Sequence, residues 1–238
     1  MIIEVLYPEL GTLYGEAGNL IYLKACCPDA KVIETNHKDV PYFVNHDVDV
    51  ILCSSMLERF QKTAADALRP YKIKLYELIE KGKVMLFTGN ASDLLGQYIL
   101  REDGSKEEML KLFAYHTEIK KRINSLILTD FEDMQIIGYK AQNGQIFDSK
   151  DFGFLKVKGG MGNNKEDSNE GIHYHNLFVT YLTGPFLPQN PLFMKYLLRL
   201  FNRDDTVAFE EEALEAYENS LREYTDPAIS YDLIWHNV

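Results

Sequence analysis

An α/β fold built on a parallel sheet is what the sequence predicts, and three features predict it. Apolar runs of strand length recur at residues 2–7, 31–35, 48–53 and 83–87. Patterns of helical period fall between them, at 19–25 and over the long stretch 57–81. The run Val48-Asp49-Val50-Ile51-Leu52-Cys53 is nearly continuous and rich in branched residues, as in a strand covered on both faces. Strand, helix, strand, helix in this order implies parallel strands with helices on both sides.

Each element has a local reason. Residues 8–18 are rich in Gly and turn formers, so the first strand leads into a loop before the helix at 19–25. Within 57–81, Leu68, Leu75, Leu78 and Ile79 make an apolar stripe, and Gly82 stops the helix. Thr88-Gly89-Asn90 reads as a tight turn after the fourth strand, with a further helix at 91–100. The second half changes character: short strands are expected at 122–128, 134–139, 145–147 and 152–158, with Asn143-Gly144 as a turn. These add antiparallel strands to the parallel core. Residues 159–171 form a polar loop and 172–182 resume an apolar run. Helices at 193–201 and 210–224 close the chain, and the acidic face of the last is read as solvated. No internal repeat or low-complexity linker divides the chain.

Composition excludes several function classes. The chain has 238 residues, 46% apolar and 26% charged, with 25 basic and 36 acidic side chains and a formal charge of −11. No Lys/Arg cluster stands out, so neither nucleic acid nor an anionic membrane is an expected partner. No apolar run approaches the ~20 residues that span a bilayer. The N-terminus lacks a basic leader, and the three cysteines Cys26, Cys27 and Cys53 read as reduced thiols, so a cytoplasmic location is expected.

In an open parallel sheet, ligands bind beyond the carboxyl ends of the strands. Two such ends stand out: Cys53-Ser54-Ser55 and Thr88-Gly89-Asn90. The second has the strand-turn-helix layout that presents a nucleophile beside backbone N–H groups. Most junctions of this kind are plain turns.

Three segments together carry a resemblance. They are Leu13-Tyr14-Gly15-Glu16-Ala17-Gly18-Asn19, the elbow around Gly89, and residues 162–188, which include Gly162-Asn163-Asn164, Glu170-Gly171-Ile172-His173-Tyr174, Thr180-Tyr181-Leu182-Thr183-Gly184-Pro185 and Leu187-Pro188. The chain resembles class I glutamine amidotransferases of the cobyric acid synthase type, and within them the glutaminase subunits of lipid II isoglutaminyl synthases. The resemblance implies a flavodoxin-like three-layer α/β sandwich, mainly parallel with added antiparallel strands. The resemblance runs from about the first strand to about Leu198; the expected organisation is a domain over 1–201 of this class, with an acidic C-terminal helix and tail, 202–238, outside the resemblance and packed on the same domain. The resemblance implies glutamine hydrolysis at an elbow cysteine activated by a histidine. The ammonia would pass to a Mur-ligase-like partner that amidates a cell-wall precursor. No cofactor and no metal are expected.

The sequence departs from that pattern at both catalytic positions. Thr88 stands at the family's nucleophile position and Thr183 at its base position. The Gly-rich turn after the third strand is Cys53-Ser54-Ser55-Met56, and a Gly-Phe-Glu-Asn-His-like segment is Gly138-Tyr139-Lys140-Ala141-Gln142. A cysteine works because its thiolate is accessible near neutral pH, whereas a threonine hydroxyl needs an adjacent base. Losing both partners removes the unit that acts. A β-branched residue at positive φ in a tight elbow would also be strained by about 1–3 kcal/mol. The expectation is therefore a pseudoenzyme: a degenerate amidotransferase, most plausibly a non-hydrolysing partner of a Mur-ligase-like enzyme in peptidoglycan precursor amidation.

Two alternatives stay open. One is an active glutaminase with a rearranged site; the other is a module that binds glutamine or another small carboxylate in the old pocket, for which Cys53, Ser54, Gly89, Asn90, His173 and Gly184 are the candidate lining. Cys53 is a candidate relocated nucleophile, though a small buried core residue is the simpler reading. His173 and His175 on one strand face, with Glu170 or His116, are a weak candidate metal set. Ser92 does not meet the Gly-x-Ser-x-Gly pattern, and Asp93 reads as an early-helix acid that suits the dipole. Gly89 and the helix start could hold an anion through backbone N–H groups.

Overall fold

Successive side chains of a strand point to opposite faces, and here the two faces bury two different sets. The computed structural model describes residues 1–233. Its first half runs β1 (Ile2–Leu6), α1 (Ala17–Cys26), β2 (Lys31–Thr35), β3 (Val50–Cys53), α2 (Gln61–Leu68), α3 (Lys72–Glu80) and β4 (Val84–Thr88). Leu6, Ile51, Cys53, Met85 and Phe87 pack with Leu68, Leu75, Leu78 and Ile79 on one face. Ile3, Val5, Val50, Leu52, Val84 and Leu86 pack with Leu23 of α1 and with Phe193 and Leu197 near the C-terminus on the other. All residues of β3 and β4 are buried, as the continuous apolar run implied.

The second half contains β5 (Tyr98–Leu100), β6 (Lys106–Glu108), β7 (His116–Phe131), β8 (Met134–Phe147), β9 (Gly153–Gly159), β10 (Asn169–Tyr174) and β11 (Leu177–Thr180). Helices α4 (Phe186–Gln189), α5 (Pro191–Leu200) and α6 (Glu210–Tyr224) follow. The strand order is β2-β1-β3-β4-β11-β10-β9-β7-β5-β6, with β8 paired to β7. From β2 to β11 every neighbour is parallel; β9, β10 and β8 are added antiparallel. This is the expected flavodoxin-like α/β sandwich with added antiparallel strands.

Several expected elements change. The long helix at 57–81 is two helices separated by a 3-10 turn at Arg69–Tyr71, because Pro70 has no N–H to continue the ladder. The helix expected at 91–100 is a 3-10 run, Gly89–Leu95, followed by β5. The short strands at 122–128, 134–139 and 145–147 are parts of one long hairpin, β7–β8. Its turn lies at Glu132 and Asp133, with Glu132 at φ 51, and Asn143-Gly144 sits inside β8. Gly144 is there for close approach: a Cβ would come 2.6 Å from the Tyr181 hydroxyl. The run 172–182 is a hairpin, β10–β11, folding back at His175 and Asn176.

The acidic helix α6 is solvated only on its outer side. Tyr217 donates to the Gln135 carbonyl at 2.8 Å and Tyr224 to that of Gly138 at 3.1 Å, so its inner face is tied to β8. The end of the expected tail, residues 234–238, lies outside the described residues. Among the described residues no helix is long and apolar enough to cross a membrane.

Candidate functional site

A cavity of about 510 Å³ opens beyond the carboxyl ends of β3 and β4. Its lining includes Ser55 and Met56 after β3, Gly89 and Asn90 after β4, the buried Asp93, Gln61, Gln142 and Thr183 in the floor and wall, and the exposed Arg59 and Arg122 at the mouth. This is where an open α/β sheet binds ligands. No Cys or His lines it among the described residues.

Thr88 closes β4 in extended conformation, φ −118 and ψ 153, paired in register with Thr180. The strain expected of a threonine at a positive-φ elbow is therefore absent. The left-handed step lies at Gly89, φ 57, where a Cβ would come 2.6 Å from that of Ser55 and 3.1 Å from Glu16 Oε1. Only glycine satisfies both demands. Thr88 is 1% exposed and does not line the cavity; its hydroxyl donates to Glu16 Oε2 at 2.6 Å.

Glu16 joins the site's loops from below. Oε2 also accepts the Ser55 N–H at 2.7 Å, while Oε1 is buried without a partner. Burial raises its carboxyl to about 7, opposed by the bonds from Thr88 and Ser55. The next N–H, of Met56, donates to Asn90 Oδ1 at 2.8 Å, and Asn90 Nδ2 donates back to the Met56 carbonyl at 2.8 Å. The two N–H groups that face the elbow from the β3 loop are thus both occupied by the protein's own oxygens. The segment after Gly89 is a 3-10 run, Gly89–Leu95, and not the α-helix expected there.

Thr183 does reach the cavity. Its N–H and hydroxyl both donate to the Tyr139 carbonyl, at 2.7 and 3.0 Å. Asp93, read from sequence as an early-helix acid that suits the dipole, is 2% exposed and lines the cavity from a 3-10 run. It accepts from Gln61 Nε2 at 2.6 Å, from the Thr117 hydroxyl at 2.5 Å and from the Tyr181 hydroxyl. Burial raises its carboxyl to about 6 against those three bonds. Gln142 is buried at the wall, its Nε2 held by the Gly144 carbonyl and its Oε1 free of partners.

The remaining candidates separate. Gly89 and Asn90 line the cavity; Cys53, Ser54, His173 and Gly184 do not. Cys53 points into the core under α2 and α3, fully buried, and desolvation with the nearby Glu16 charge pushes its thiol up. It is a core residue and cannot serve as a nucleophile in this arrangement. A Cβ on Gly184 would meet Gln189 Nε2 at 3.1 Å, with the Tyr14 carbonyl farther off at 3.9 Å. His173 stacks on Phe178 at 4.8 Å, close to Phe131 and Phe154 on the α5 face, and burial lowers its pKa. His175 lies in the β10–β11 turn near Glu80, and His116 between Glu118 and Asp148. Glu170 is buried, holding the Tyr181 N–H at 2.8 Å, the Thr180 hydroxyl at 2.7 Å and Lys140 Nζ at 3.3 Å. The proposed metal ligands are dispersed, and no cluster of three or more His, Cys, Asp or Glu occurs among the described residues. Ser92 is fully buried with its hydroxyl on the Thr180 carbonyl.

Sequence reasoning missed Gln61, Arg59 and Arg122 and gave Asp93 another role. Gln61 and Asp93 carried a faint signal, as polar residues on otherwise apolar faces.

Comparison with known proteins points in one direction. A CobB/CobQ-like glutamine amidotransferase domain matches residues 2–191. The GatD subunit of the glutamine-hydrolysing lipid II isoglutaminyl synthase of Staphylococcus aureus (strain N315) is 32% identical over 210 residues, 85% of each chain. The corresponding subunit of Streptococcus pneumoniae (strain ATCC BAA-255 / R6) is 29% identical over 199 residues, covering 78% of this chain and 74% of that one. Among solved structures, a glutamine amidotransferase from Thermotoga maritima superimposes with a TM-score of 0.53 at 9% identity over 92% of both chains. The glutaminase domain of Trypanosoma brucei CTPS, with bound acivicin, gives 0.51 at 8% identity, over 88% of this chain and 97% of that one.

Proposed function

This chain belongs to the CobB/CobQ-like glutamine amidotransferase family, and on that premise we propose that it is a degenerate member that does not hydrolyse glutamine. It acts as the non-hydrolysing subunit of a lipid II amidating complex, beside a Mur-ligase-like partner. The ligase then takes free ammonia, or ammonia from another source. The named relatives are subunits of lipid II isoglutaminyl synthase, which supports the process and a protein partner.

The observation that carries the reading is the cavity wall: no thiol and no imidazole faces it among the described residues. Amide hydrolysis by this class of site needs a nucleophile, a base beside it and donors for the oxyanion. At the position read from sequence as the nucleophile's, Thr88 is sealed under the elbow with its hydroxyl bound to Glu16, and Gly89, the elbow residue at positive φ, has no side chain to react. At the base position, Thr183 donates to a carbonyl and has no ring nitrogen to accept a proton. The N–H groups of Ser55 and Met56 are occupied by Glu16 and Asn90. Glu16 itself is a weak base next to a hydroxyl, but the pair is closed off from the cavity, which weighs against a rearranged active site.

The test is glutamate release from glutamine by the purified chain, alone and with the co-expressed ligase-like partner. None above a protein-free control is expected. Turnover at ordinary enzyme rates that Thr88→Ala abolishes would overturn the proposal.

One observation favours a second reading, a small-molecule module. The cavity stays open, with Arg122 at the mouth and the Gln142 Oε1 acceptor unpartnered in the wall, a pairing suited to a carboxylate and an amide or ammonium. Thermal shift with glutamine and glutamate discriminates it: a saturable rise in Tm supports binding, and no shift removes it.

A further inference from the structure

A second concavity, a trough of about 1350 Å³, meets the first cavity at Tyr14, Arg122 and Ala141. One wall is the start of β7, the other the segment 230–233, whose Tyr231 carbonyl accepts the Leu126 N–H. Lys121, Arg122 and Lys165 line it, with Asp232 the one acid of the lining.

The placement of the cations has a backbone cause. Ile119 pairs with Gly144 and Ile123 with Gln142, so three residues of β7 face one of β8. The bulge carries Lys120, Lys121 and Arg122 out of the ladder and into solvent, as bulges commonly re-aim side chains. Lys120 is paired with Glu118. Arg59, Lys121, Arg122 and Lys165 have no carboxylate within 4.0 Å among the described residues, and the only side-chain partner of Arg122 is the Tyr14 hydroxyl at 3.3 Å. Arg59 lines the first cavity only, so the trough itself holds three cations without a carboxylate partner in a chain of charge −11.

Size and chemistry select the occupant. Small-molecule sites hold about 300–1,000 Å³. The trough exceeds that and is open, and its lining adds Tyr139, Met161 and Tyr231, residue types enriched at protein interfaces. A concave trough does not fit a lipid surface, and three cations without a stripe do not follow a phosphate backbone.

We propose that this trough docks an acidic, extended polypeptide segment of a partner protein, recognised through Lys121, Arg122 and Lys165. Bound there, the segment also covers Arg122 at the mouth of the first cavity. The inference rests on the subunit reading only for the source of the segment.

The test is fluorescence anisotropy of a fluorescein-labelled glutamate-rich peptide, with its glutamine counterpart as control, against the full chain. The glutamate peptide binds with an affinity that falls as salt rises, and the glutamine peptide does not. Lys121→Glu with Lys165→Glu weakens binding at least about tenfold, the effect of ~1.4 kcal/mol. Lys38→Glu with Lys81→Glu, the same charge change at exposed lysines outside the trough, leaves it as in wild type. All four lysines are exposed, and melting curves check that the variants fold. Absence of glutamate-peptide binding overturns the proposal. So does an equal loss in both double variants, or retention on phosphatidylglycerol vesicles without peptide binding. Because no glutamine is involved, residual glutaminase activity would overturn the previous section and leave this one standing.

Discussion

The elbow and the block from 162 to 188 are both parts of the family's pattern, yet they have fared differently. In the block, Asn163 donates to the Ser149 hydroxyl, Asp167 and the Gly171 carbonyl and accepts the Gly171 N–H. Glu170 anchors the exit of β11, and Asn190 just beyond ties Ile137 to Phe186. At the elbow, Thr88 is bound to Glu16 and Gly89 carries the positive φ, so neither a thiol nor a hydroxyl from the end of β4 lines the cavity. The difference teaches that polar side chains of the block are spent on holding buried backbone groups, whereas the elbow presents no thiol or imidazole to the cavity. An unsatisfied buried polar group costs stability directly, and a lost nucleophile does not.

That comparison can be broken by mutation. The largest effect is expected in the frame. Lys140→Met leaves Glu170 buried without its cation and should cost about 3–5 kcal/mol in urea unfolding; a loss below ~1 kcal/mol would mean the pair does not hold the block.

Glu16 couples the elbow to pH. Burial raises its carboxyl from 4.5 to about 7, so the folded chain holds that proton more tightly than the unfolded one. Stability from this group is present in full below 4.5 and is lost as pH rises through about 7. At 1.36 kcal/mol per unit the loss is about 3 kcal/mol. Glu16→Gln should flatten this dependence, measured as the difference in unfolding free energy between the two proteins across the range; parallel curves would contradict it.

Asn190→Ala leaves the Ile137 N–H and carbonyl unpaired in the core and should cost about 2 kcal/mol by thermal unfolding. No change in Tm would show that those groups find other partners.

The smallest effect is functional. Thr88→Cys with Thr183→His places a thiol and an imidazole at the two positions read from sequence as catalytic and is expected to yield no measurable glutamate release. Thr88 is extended and sealed, and the Ser55 and Met56 N–H groups remain occupied. Recovery of turnover would show that the elbow geometry was never lost.

The parallel core was legible because β3 and β4 are buried on both faces and read as continuous apolar runs. The β7–β8 hairpin was not, because Lys120, Lys121 and Arg122 interrupt its pattern where the bulge lifts them from the ladder, and Asn143-Gly144 imitates a turn. At the site, Gly89 and Asn90 were legible from the strand end. Asp93 was misread because a 3-10 run shows the same local spacing as a helix start, and only tertiary packing reveals that it is buried beneath Tyr181 and Gln61. Cys53 and His173 were singled out by chemistry, while strand alternation sends the first into the core and packing sets the second among phenylalanines.

The most direct measurement is intact mass after incubation with an electrophilic glutamine analogue that traps the acyl-enzyme nucleophile. An unmodified chain is the expected result; stoichiometric addition of one adduct, mapped to Thr88 or Cys53, would contradict the account.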